Sequence, residues 1–353
     1  MDSEQGSGSG GNGGMGNGVR PGRIGGHNSP YKSGSHSIKP KLRYELVEIM
    51  REHITKGAKK NKVIGSRAVE LRKQVILNFF SDLAYLGYKI ESIHNLKQKH
   101  LVAVFRFLES QGQSSSTLRN KISTMRIFCE WLGKDGMVVE SSNYVVNPLS
   151  TRRTMVVQED KSWEGKGINV KETLEKIELD DEKVAAVLSL CYGFGLRIRE
   201  AVMMNVVKSV DGNVLMVIHG TKGGRIRSVP IEHEWQFKLL EKVKAVADKN
   251  TGKLSNRGKT VEQSIRRVRT LMERHGLVLA EAGVTAHGLR HQYMQERFLE
   301  QTGVAAPVKG GHISLLDNQE FDEATGRLME RAGHSRVTIG ASYYGSRRMK
   351  KKS

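Results

Sequence analysis

The sequence predicts a mainly helical protein of two domains, with one small β-hairpin or sheet in the second domain. The chain has 353 residues, which is the length of two average domains. Apolar residues recur at helical spacing through most of it. One segment, VLMVIHGTKGGRIRSVPI, instead has two β-branched runs on either side of a glycine-rich turn. These observations favour a helical unit followed by an α+β unit.

Charge is the most unusual feature of the composition. The chain has 57 Lys and Arg against 37 Asp and Glu, a formal net charge of +20, which favours a polyanionic partner. Its two cysteines, Cys129 and Cys191, form no disulfide framework or zinc site and read as small buried hydrophobes. Neither a signal sequence nor an apolar run of about 18 residues is present. We therefore expect a cytoplasmic, DNA-associated protein with no membrane partner.

Residues 1–38 form a Gly/Ser/Asn-rich segment that lacks helical or strand periodicity. Such a composition buries too little apolar surface to offset the entropy of ordering the backbone. We predict a disordered tail. Loose contact of its few basic residues with DNA is the alternative.

Residues 39–137 predict a small four-helix unit. Its apolar residues fall three and four positions apart in four groups that begin near Leu42, Ile76, Leu101 and Ile122. Basic residues crowd the first helix and the loop after it. Because the chain has so high a net positive charge, we expect these residues to contact DNA, with a solvated face as the alternative. The predicted DNA-binding residues of this unit are Lys56, Lys59, Lys60 and Lys62.

A linker is predicted over residues 138–179, because this stretch contains Asn147-Pro148 and no sustained period. The second domain then spans residues 180–353. It opens with a helix that ends near Gly193–Gly195 and a shorter helix through Glu200, and the hairpin follows. The remaining predicted helices are Trp235 to Ala247, Val261 to His275, Thr285 to Glu300 and a piece near Arg327 to Ala332.

Two segments place basic side chains where a phosphate can bind. In CYGFGLRIREAV, Arg197 follows a helix end, where a surface charge is the ordinary interpretation. In TAHGLRHQY, Thr285 is the predicted N-cap, with His287 in the first turn and Arg290 one turn later on the same face. The helix N-terminus favours an anion and disfavours a charged His287, while Arg290 offers two donors. A structural His beside a salt-bridged Arg is the alternative.

Two further segments carry groups that could act on such a phosphate. Lys222 lies between glycines at the hairpin tip, where an ammonium can donate a proton, although such lysines are usually only solubilising. His334 follows Gly333, and Tyr343 comes nine positions later. Either tyrosine of the Tyr343-Tyr344 pair could equally be a half-buried aromatic residue.

Taken in this order, these residues resemble the catalytic domain of the tyrosine recombinase (phage integrase) family over about residues 180–345. The helical unit before them resembles that family's core-binding domain. By its nine-residue offset from His334, Tyr343 matches the nucleophile, whereas the offset of Tyr344 is one residue too long. The resemblance implies that the catalytic residues are Arg197, Lys222, His287, Arg290, His334 and Tyr343, with Glu200 in support.

The chain departs from the family pattern in three places. Arg290 and His334 are 44 positions apart, roughly twenty more than the pattern, so we expect a functional or disordered loop, with packing around His312 and Leu315 that the pattern does not predict. The N-terminal tail does not resemble the arm-binding module of some integrases. Only ten residues follow Tyr343.

The chemistry of a phosphodiester explains why these residue types are needed. In-line attack places negative charge on the non-bridging oxygens, which Arg197 and Arg290 can neutralise in place of a metal. Lys222 can protonate the departing 5′-oxygen, and His287 can accept the phenolic proton of Tyr343 or bind the phosphate. A phosphotyrosine stores the bond for rejoining. We therefore expect no metal and no other cofactor.

The function that these residues favour is site-specific recombination, through a 3′-phosphotyrosine, that integrates or excises a mobile element. The expected partners are double-stranded DNA held between the two domains, further copies of the chain as a dimer per site and a synaptic tetramer, and accessory DNA-bending factors. For the basic C-terminal tail, DNA contact by Arg347 and Arg348 is favoured over docking on another protomer, and a merely solvated run is the open alternative. The rivals are a type IB topoisomerase and a non-catalytic architectural protein.

Overall fold

The computed structural model describes residues 32–56, 64–152, 155–255 and 258–347. It divides into two compact units, residues 1–153 and 154–353. The predictions made for residues 1–31 of the tail, for Lys59, Lys60 and Lys62, and for Arg348 lie outside the described residues. Among the described helices, none is both long and apolar enough to cross a lipid bilayer.

The first unit contains the four predicted helices. Each buries the apolar stripe that predicted it, and the stripes meet in one core that includes Cys129. The second helix begins at Ser66, and Gly65 is its N-cap. Ser114 caps the fourth helix by accepting a hydrogen bond from the backbone N–H of Thr117. The helices are α1 (Pro40–His53), α2 (Ser66–Tyr85), α3 (Gln98–Ser110) and α4 (Ser115–Trp131).

The stretch 138–179, for which we expected a linker, is instead folded into both units. Tyr144 lies in the first core, where its hydroxyl donates to the carbonyl of Met137 and accepts from the N–H of Val139, both at 3.0 Å. Trp163 is fully buried in the core of the second unit, and helix α5 (Val170–Asp180) packs on the same core. The prediction failed because short 3₁₀ turns have no apolar period to detect.

The second unit is α+β, as predicted. Its antiparallel sheet has three strands, β1 (Val210–Asp211), β2 (Val214–Val217) and β3 (Arg227–Pro230), in the order β1–β2–β3 and with Val217 paired with Arg227. The connection between β2 and β3 is longer than the tight turn predicted, and it includes a 3₁₀ turn at Lys222–Gly224. The elements after α5 are α6 (Glu182–Phe194), α7 (Ile198–Met203), β1 (Val210–Asp211), β2 (Val214–Val217), β3 (Arg227–Pro230), α8 (Glu234–Val246), α9 (Val261–Arg274), α10 (Ala286–Thr302), α11 (Asn318–Arg331) and α12 (Ala341–Tyr344).

The long interval between Arg290 and His334 is mostly helical rather than a loop. Helix α10 extends to Thr302, and α11 begins at Asn318 with Asp317 and Glu320 forming a capping box. Between them lie two 3₁₀ turns, of which the second buries Ile313 and Leu316. Leu315 is exposed. The helix predicted near Arg327 is therefore only the last part of α11.

Gly288 lets the segment before α5 lie directly on the first turn of α10. The Trp163 indole N–H donates to the carbonyl of Thr285 at 2.8 Å. A Cβ added at Gly288 would lie 2.5 Å from the Lys161 carbonyl oxygen and 2.9 Å from the Trp163 ring. This contact brings the former linker region against the helix that carries His287.

Gly288→Ala is therefore expected to destabilise the protein by about 1–3 kcal/mol, the usual cost of overpacking a rigid contact. Gly326→Ala is the matched control, because a Cβ at that helical glycine meets nothing within 4 Å. The control should be neutral or stabilising by up to ~1 kcal/mol. Urea unfolding of both variants measures the difference, and equal effects would show that the contact is not tight.

Candidate active site

Arg197 and Glu200 are joined at the start of α7. Helix α6 is capped by Gly195, which has a φ of 60° and turns the chain toward α7. The backbone N–H of Arg197 donates to Glu200 Oε2 at 2.8 Å, and Arg197 Nη1 donates to Oε1 at 2.7 Å. The Arg197 side chain keeps 23% of its surface exposed. Its guanidinium is thus oriented by Glu200 and still accessible to a ligand.

Glu200 is fully buried and has a second partner that the sequence did not reveal. Arg227 on β3 donates from Nη1 to Oε1 at 2.9 Å and from Nη2 to Oε2 at 2.7 Å. Burial alone would raise the pKa of Glu200, but the hydrogen bonds and charges of Arg227 and Arg197 lower it to about 2. The carboxylate therefore stays ionised between two arginines.

Arg290 is almost completely buried and reaches across the unit from α10. Its Nε donates to the Tyr343 hydroxyl at 3.0 Å. Its Nη1 donates to the carbonyl of Gly195, and its Nη2 donates to that of Ala332 at 2.6 Å. One guanidinium thus links the end of α6, the end of α11 and the tyrosine of α12. Thr285 is the N-cap of α10, as predicted, but its side chain makes no capping hydrogen bond.

His334 and Tyr343 share a hydrogen bond of 3.0 Å between Nε2 and the phenolic oxygen. The same Nε2 lies 3.4 Å from Arg290 Nη2 and 3.5 Å from Arg197 Nη2. Guanidinium groups only donate, so Nε2 is the acceptor. The Tyr343 hydroxyl thus donates a hydrogen bond to His334 Nε2 and accepts one from Arg290 Nε. Burial and the charges of Arg290 and Arg197 lower the pKa of His334 to about 4, so its ring is neutral near pH 7.

The two adjacent tyrosines have different surroundings. Tyr344 is fully buried, with its ring stacked on Phe298 at 4.9 Å and edge-on to Phe321. Burial raises the pKa of the Tyr344 hydroxyl. Tyr343 instead faces Arg290 and His334. Of the pair, Tyr343 has the contacts expected of a nucleophile, and Tyr344 has those of a core residue.

His287 lies near Tyr343 but is not its hydrogen-bond partner. The two ring centroids are 5.9 Å apart, and within the described residues no hydrogen bond joins the two side chains. Burial, and then the nearby His291 and arginines, lower the pKa of His287 to about 3. The direction agrees with the expectation of a neutral ring, although burial is the main cause instead of the helix dipole. His291, which we did not predict, packs 5.0 Å from the Tyr343 ring.

Lys222 is exposed in the 3₁₀ turn at the hairpin tip. Its charge is one of those that lower the pKa of His334. Gly220 fixes the approach of this hairpin to α7. Its φ is 74°, and an added Cβ would lie 2.7 Å from the Arg199 carbonyl oxygen.

The predicted DNA-binding residues differ in their surroundings. Lys56 is exposed just after α1, within 3.4 Å of His53 Nδ1. Arg347 was predicted to bind DNA, but its guanidinium is engaged by its own chain. It donates to the carbonyls of Asp317 at 2.6 Å and Leu316 at 3.0 Å. It also lies over the Phe321 ring. Both terminal nitrogens therefore bind at the start of α11, and DNA contact by Arg347 stays a prediction.

Two residues of the site had a weaker signal in the sequence. Arg227 shares the buried face of β3 with Val229, and a charge at a core-facing strand position indicates a buried partner. Gln295 lies one turn beyond His291 and donates to the Tyr343 carbonyl at 3.2 Å and to Asp160 at 2.9 Å. Within the ranges that the structure describes, no group of three or more His, Cys, Asp or Glu side chains could hold a metal ion.

Two protein-family models match the chain. The phage integrase N-terminal model matches residues 41–138, and the integrase model matches residues 159–296, so together they span more than half of the chain. Tyrosine recombinase XerC of Chromobacterium violaceum is 28% identical in an alignment of 229 residues that covers 61% of this chain and 71% of the relative. Tyrosine recombinase XerA of Pyrococcus furiosus is 26% identical in an alignment of 268 residues that covers 72% of this chain and 78% of the relative.

Solved structures share the fold at low sequence identity. A lambda integrase tetramer bound to a Holliday junction is similar with a TM-score of 0.57 and 13% identity, over 88% of this chain and 79% of that one. The Tn1549 transposon integrase in complex with transposon right end DNA has a TM-score of 0.53 and 16% identity, over 86% and 95%. Two family models, the recombinase relatives and the shared fold lead to one assignment: this chain belongs to the tyrosine recombinase (phage integrase) family of enzymes that cleave and rejoin DNA.

Proposed function

We propose that the protein is a site-specific recombinase that cuts DNA through a 3′-phosphotyrosine at Tyr343 and integrates or excises a mobile element. The observation that carries the proposal is the position of the Tyr343 hydroxyl, 3.0 Å from both Arg290 Nε and His334 Nε2. An acceptor for the phenolic proton and a positive charge for the resulting anion are the two things that a tyrosine nucleophile needs.

In the proposed first step, the Tyr343 oxygen attacks the phosphorus and its proton passes to His334. The pKa of His334 near 4 keeps its ring neutral at pH 7, and its Nε2, which already accepts from the hydroxyl, is the acceptor placed for this proton. His287, which we expected in this role, is a candidate to bind a phosphate oxygen from the first turn of α10. The bond from phosphorus to the 5′-oxygen breaks, and the 3′-phosphate remains on Tyr343.

We assign to the two arginines the neutralisation of the negative charge that develops on the phosphate. Arg197 is partly exposed and oriented by Glu200, so it can offer its remaining donors to a non-bridging oxygen. Arg290 provides a buried charge directly beside the nucleophile. Preorganised donors of this kind usually contribute more to the rate of such transfer reactions than any other single effect. Rejoining reverses the step with a 5′-hydroxyl from another strand.

The expected partners are double-stranded DNA and further copies of the chain. The net charge of +20 favours a polyanion. The similar lambda integrase structures are a dimer bound to a core site and a tetramer bound to a Holliday junction. We infer the same two states for this recombinase, a dimer on each site and a tetramer in synapsis, in the compartment that holds its DNA.

A role in moving an element is supported by the integrase models and by the likeness to a transposon integrase. The XerC and XerA relatives are also tyrosine recombinases, so resolution of joined DNA is the second candidate. A plasmid assay separates the two. Integration joins a donor and a target on separate molecules, whereas resolution acts on two sites within one molecule.

The test of the chemistry uses a pool of short nicked duplexes of randomised sequence, in which cleavage releases a fragment and traps the covalent intermediate. We expect an adduct that survives denaturant and retains a label placed 5′ to the cut, because the 3′-phosphate stays on the protein. Sequencing the trapped DNA then gives the preferred site. No adduct would favour the architectural alternative, and relaxation of supercoiled plasmid without site pairing would favour a topoisomerase.

Lys222→Ala is expected to lose most cleavage of ordinary DNA and to recover on DNA whose bridging 5′-oxygen at the cut is sulfur. The reason is that a thiolate leaves without being protonated, so the reaction no longer needs the proton donor that the variant lacks. Adduct yields on the two substrates, compared with wild type, measure the recovery. The same deficit on both would make Lys222 a phosphate ligand instead of the acid.

The rate of adduct formation should stay nearly constant as pH falls from about 7.5 to about 5.5. The pKa of His334 is lowered to about 4, so the acceptor stays neutral, whereas a histidine titrating near 6.5 would lose about tenfold in rate. Stability itself falls below about pH 6.5, because the unfolded chain binds more protons there. Circular dichroism at each pH shows how much of the protein is folded. A tenfold fall in the rate of adduct formation while the protein stays folded would contradict the assignment of His334 as the proton acceptor.

A further inference from the structure

Arg227 contacts two of the segments that carry the proposed catalytic residues and lies on the strand that follows a third. Its Nη1 and Nη2 bind the two oxygens of Glu200, which in turn binds Arg197. Its Nε donates to the carbonyl of Arg331 at 2.8 Å, three residues before His334. Arg227 itself opens β3, on the far side of the turn that holds Lys222.

The guanidinium of Arg227 lies in a closely packed position beside the loop of His334. Its side chain is 4% exposed. Gly333 has a φ of 69°, and a Cβ there would lie 3.0 Å from Arg227 Cδ. Each of the three guanidinium nitrogens already donates to a carboxylate or carbonyl oxygen of the protein. Arg227 is therefore occupied by the protein and is not placed to bind DNA.

On the basis of the proposed function, we propose that Arg227 is a positioning residue that sets Arg197 through Glu200 and His334 through the Arg331 carbonyl. Without Arg227, Glu200 would be a buried carboxylate with Arg197 as its remaining arginine. Arg197 would then be drawn toward neutralising Glu200 and away from a phosphate. With Arg227 present, the carboxylate is neutralised from the β3 side, and Arg197 keeps donors for the substrate.

The geometry requires an arginine at this position. The guanidinium donates two parallel hydrogen bonds to the Glu200 carboxylate and a third, in another direction, to the Arg331 carbonyl. This arrangement matches the planar, forked shape of an arginine side chain. A lysine would preserve the charge, but its single nitrogen cannot reach both oxygens of Glu200 and the Arg331 carbonyl in the same arrangement. Arg227→Lys therefore separates positioning from charge.

The experiment compares cleavage of two nicked substrates, one with an ordinary scissile phosphate and one with a neutral methylphosphonate in its place. The methylphosphonate has lost the negative charge that Arg197 is proposed to neutralise. The variants are Arg227→Lys and Arg197→Ala. The control is Arg297→Lys, which changes another buried arginine of the same unit, held by Glu232 and Glu300.

We expect Arg227→Lys to bind DNA like wild type and to form the adduct about tenfold more slowly or worse on the ordinary phosphate. On the methylphosphonate its deficit should shrink together with that of Arg197→Ala. A variant with only a structural defect would lose the same factor on both substrates, which is the behaviour expected of Arg297→Lys if it loses activity at all.

A mutant cycle with Glu200→Gln tests the route of the effect. If Arg227 acts through Glu200, then adding Arg227→Lys to Glu200→Gln should cost much less than adding it to wild type. If Arg227→Lys alone does not fold, the pair Arg227→Gln with Glu200→Gln, which removes both charges, takes its place in the two-substrate assay. Wild-type rates for the variant, or equal deficits on both substrates, would overturn the inference. Absence of any wild-type adduct would instead overturn the proposed function.

Discussion

Tyr343→Phe is expected to abolish the covalent protein–DNA adduct and to leave DNA binding nearly unchanged. The substitution removes one oxygen atom, which is the proposed nucleophile and the partner of Arg290 Nε and His334 Nε2. The phenyl ring keeps its packing against His291. Adduct formation on the nicked duplex and binding in a mobility-shift assay, measured on the same preparations, test both parts of the expectation.

Tyr344→Phe is the matched control, because it makes the same change at the next residue. The Tyr344 ring stacks on Phe298 within the core, and the variant keeps that stacking. We expect it to retain the adduct. An adduct formed by Tyr343→Phe and lost in Tyr344→Phe would reverse the assignment of the nucleophile.

Arg197→Ala and Arg290→Ala are each expected to slow adduct formation by about 10²-fold or more, the usual effect of removing a preorganised donor to developing negative charge. A chelator is expected to leave the yield unchanged, since the two arginines are assigned the charge that a metal would otherwise supply. The two variants should differ in stability. Arg290 is buried and binds the carbonyls of Gly195 and Ala332, whereas Arg197 is partly exposed.

Arg199→Ala is the control for the loss of a positive charge near this site. Arg199 lies in α7 two residues beyond Arg197, but its exposed side chain pairs with Glu262. An exposed pair of this kind contributes little, so the variant should cleave at close to the wild-type rate. Equal losses in Arg197→Ala and Arg199→Ala would point to general attraction of DNA, and loss of all cleavage on chelation would contradict the metal-free mechanism.

The sequence allowed prediction of the features that depend on local pattern. Helices such as α4 and α9 bury stripes of apolar residues three and four positions apart, and α9 ends within one residue of the predicted His275. The hairpin was predictable because its two β-branched runs flank glycines. The proposed catalytic residue types could also be found from local information, since each occurs in its own short motif.

Features that depend on distant contacts could not be predicted. Trp163 is buried because it meets α10, more than a hundred residues later, so no local period marks the segment around it. The choice between His287 and His334 as the partner of Tyr343 depends on where α10 and α12 meet. The contact of Arg347 with the carbonyls at the start of α11 could not be predicted either, because those carbonyls carry no signal in the sequence.

The proposed mechanism is tested most sharply by identifying the amino acid that is bonded to DNA in the trapped intermediate. The wild-type protein is reacted with the nicked duplex pool, the adduct is digested with a protease and a nuclease, and the remaining nucleotide-bearing peptide is sequenced by mass spectrometry. We predict a phosphodiester between the Tyr343 oxygen and the 3′ end of the cleaved strand. Attachment at Tyr344 or another residue, or at a 5′-phosphate, would contradict this mechanism.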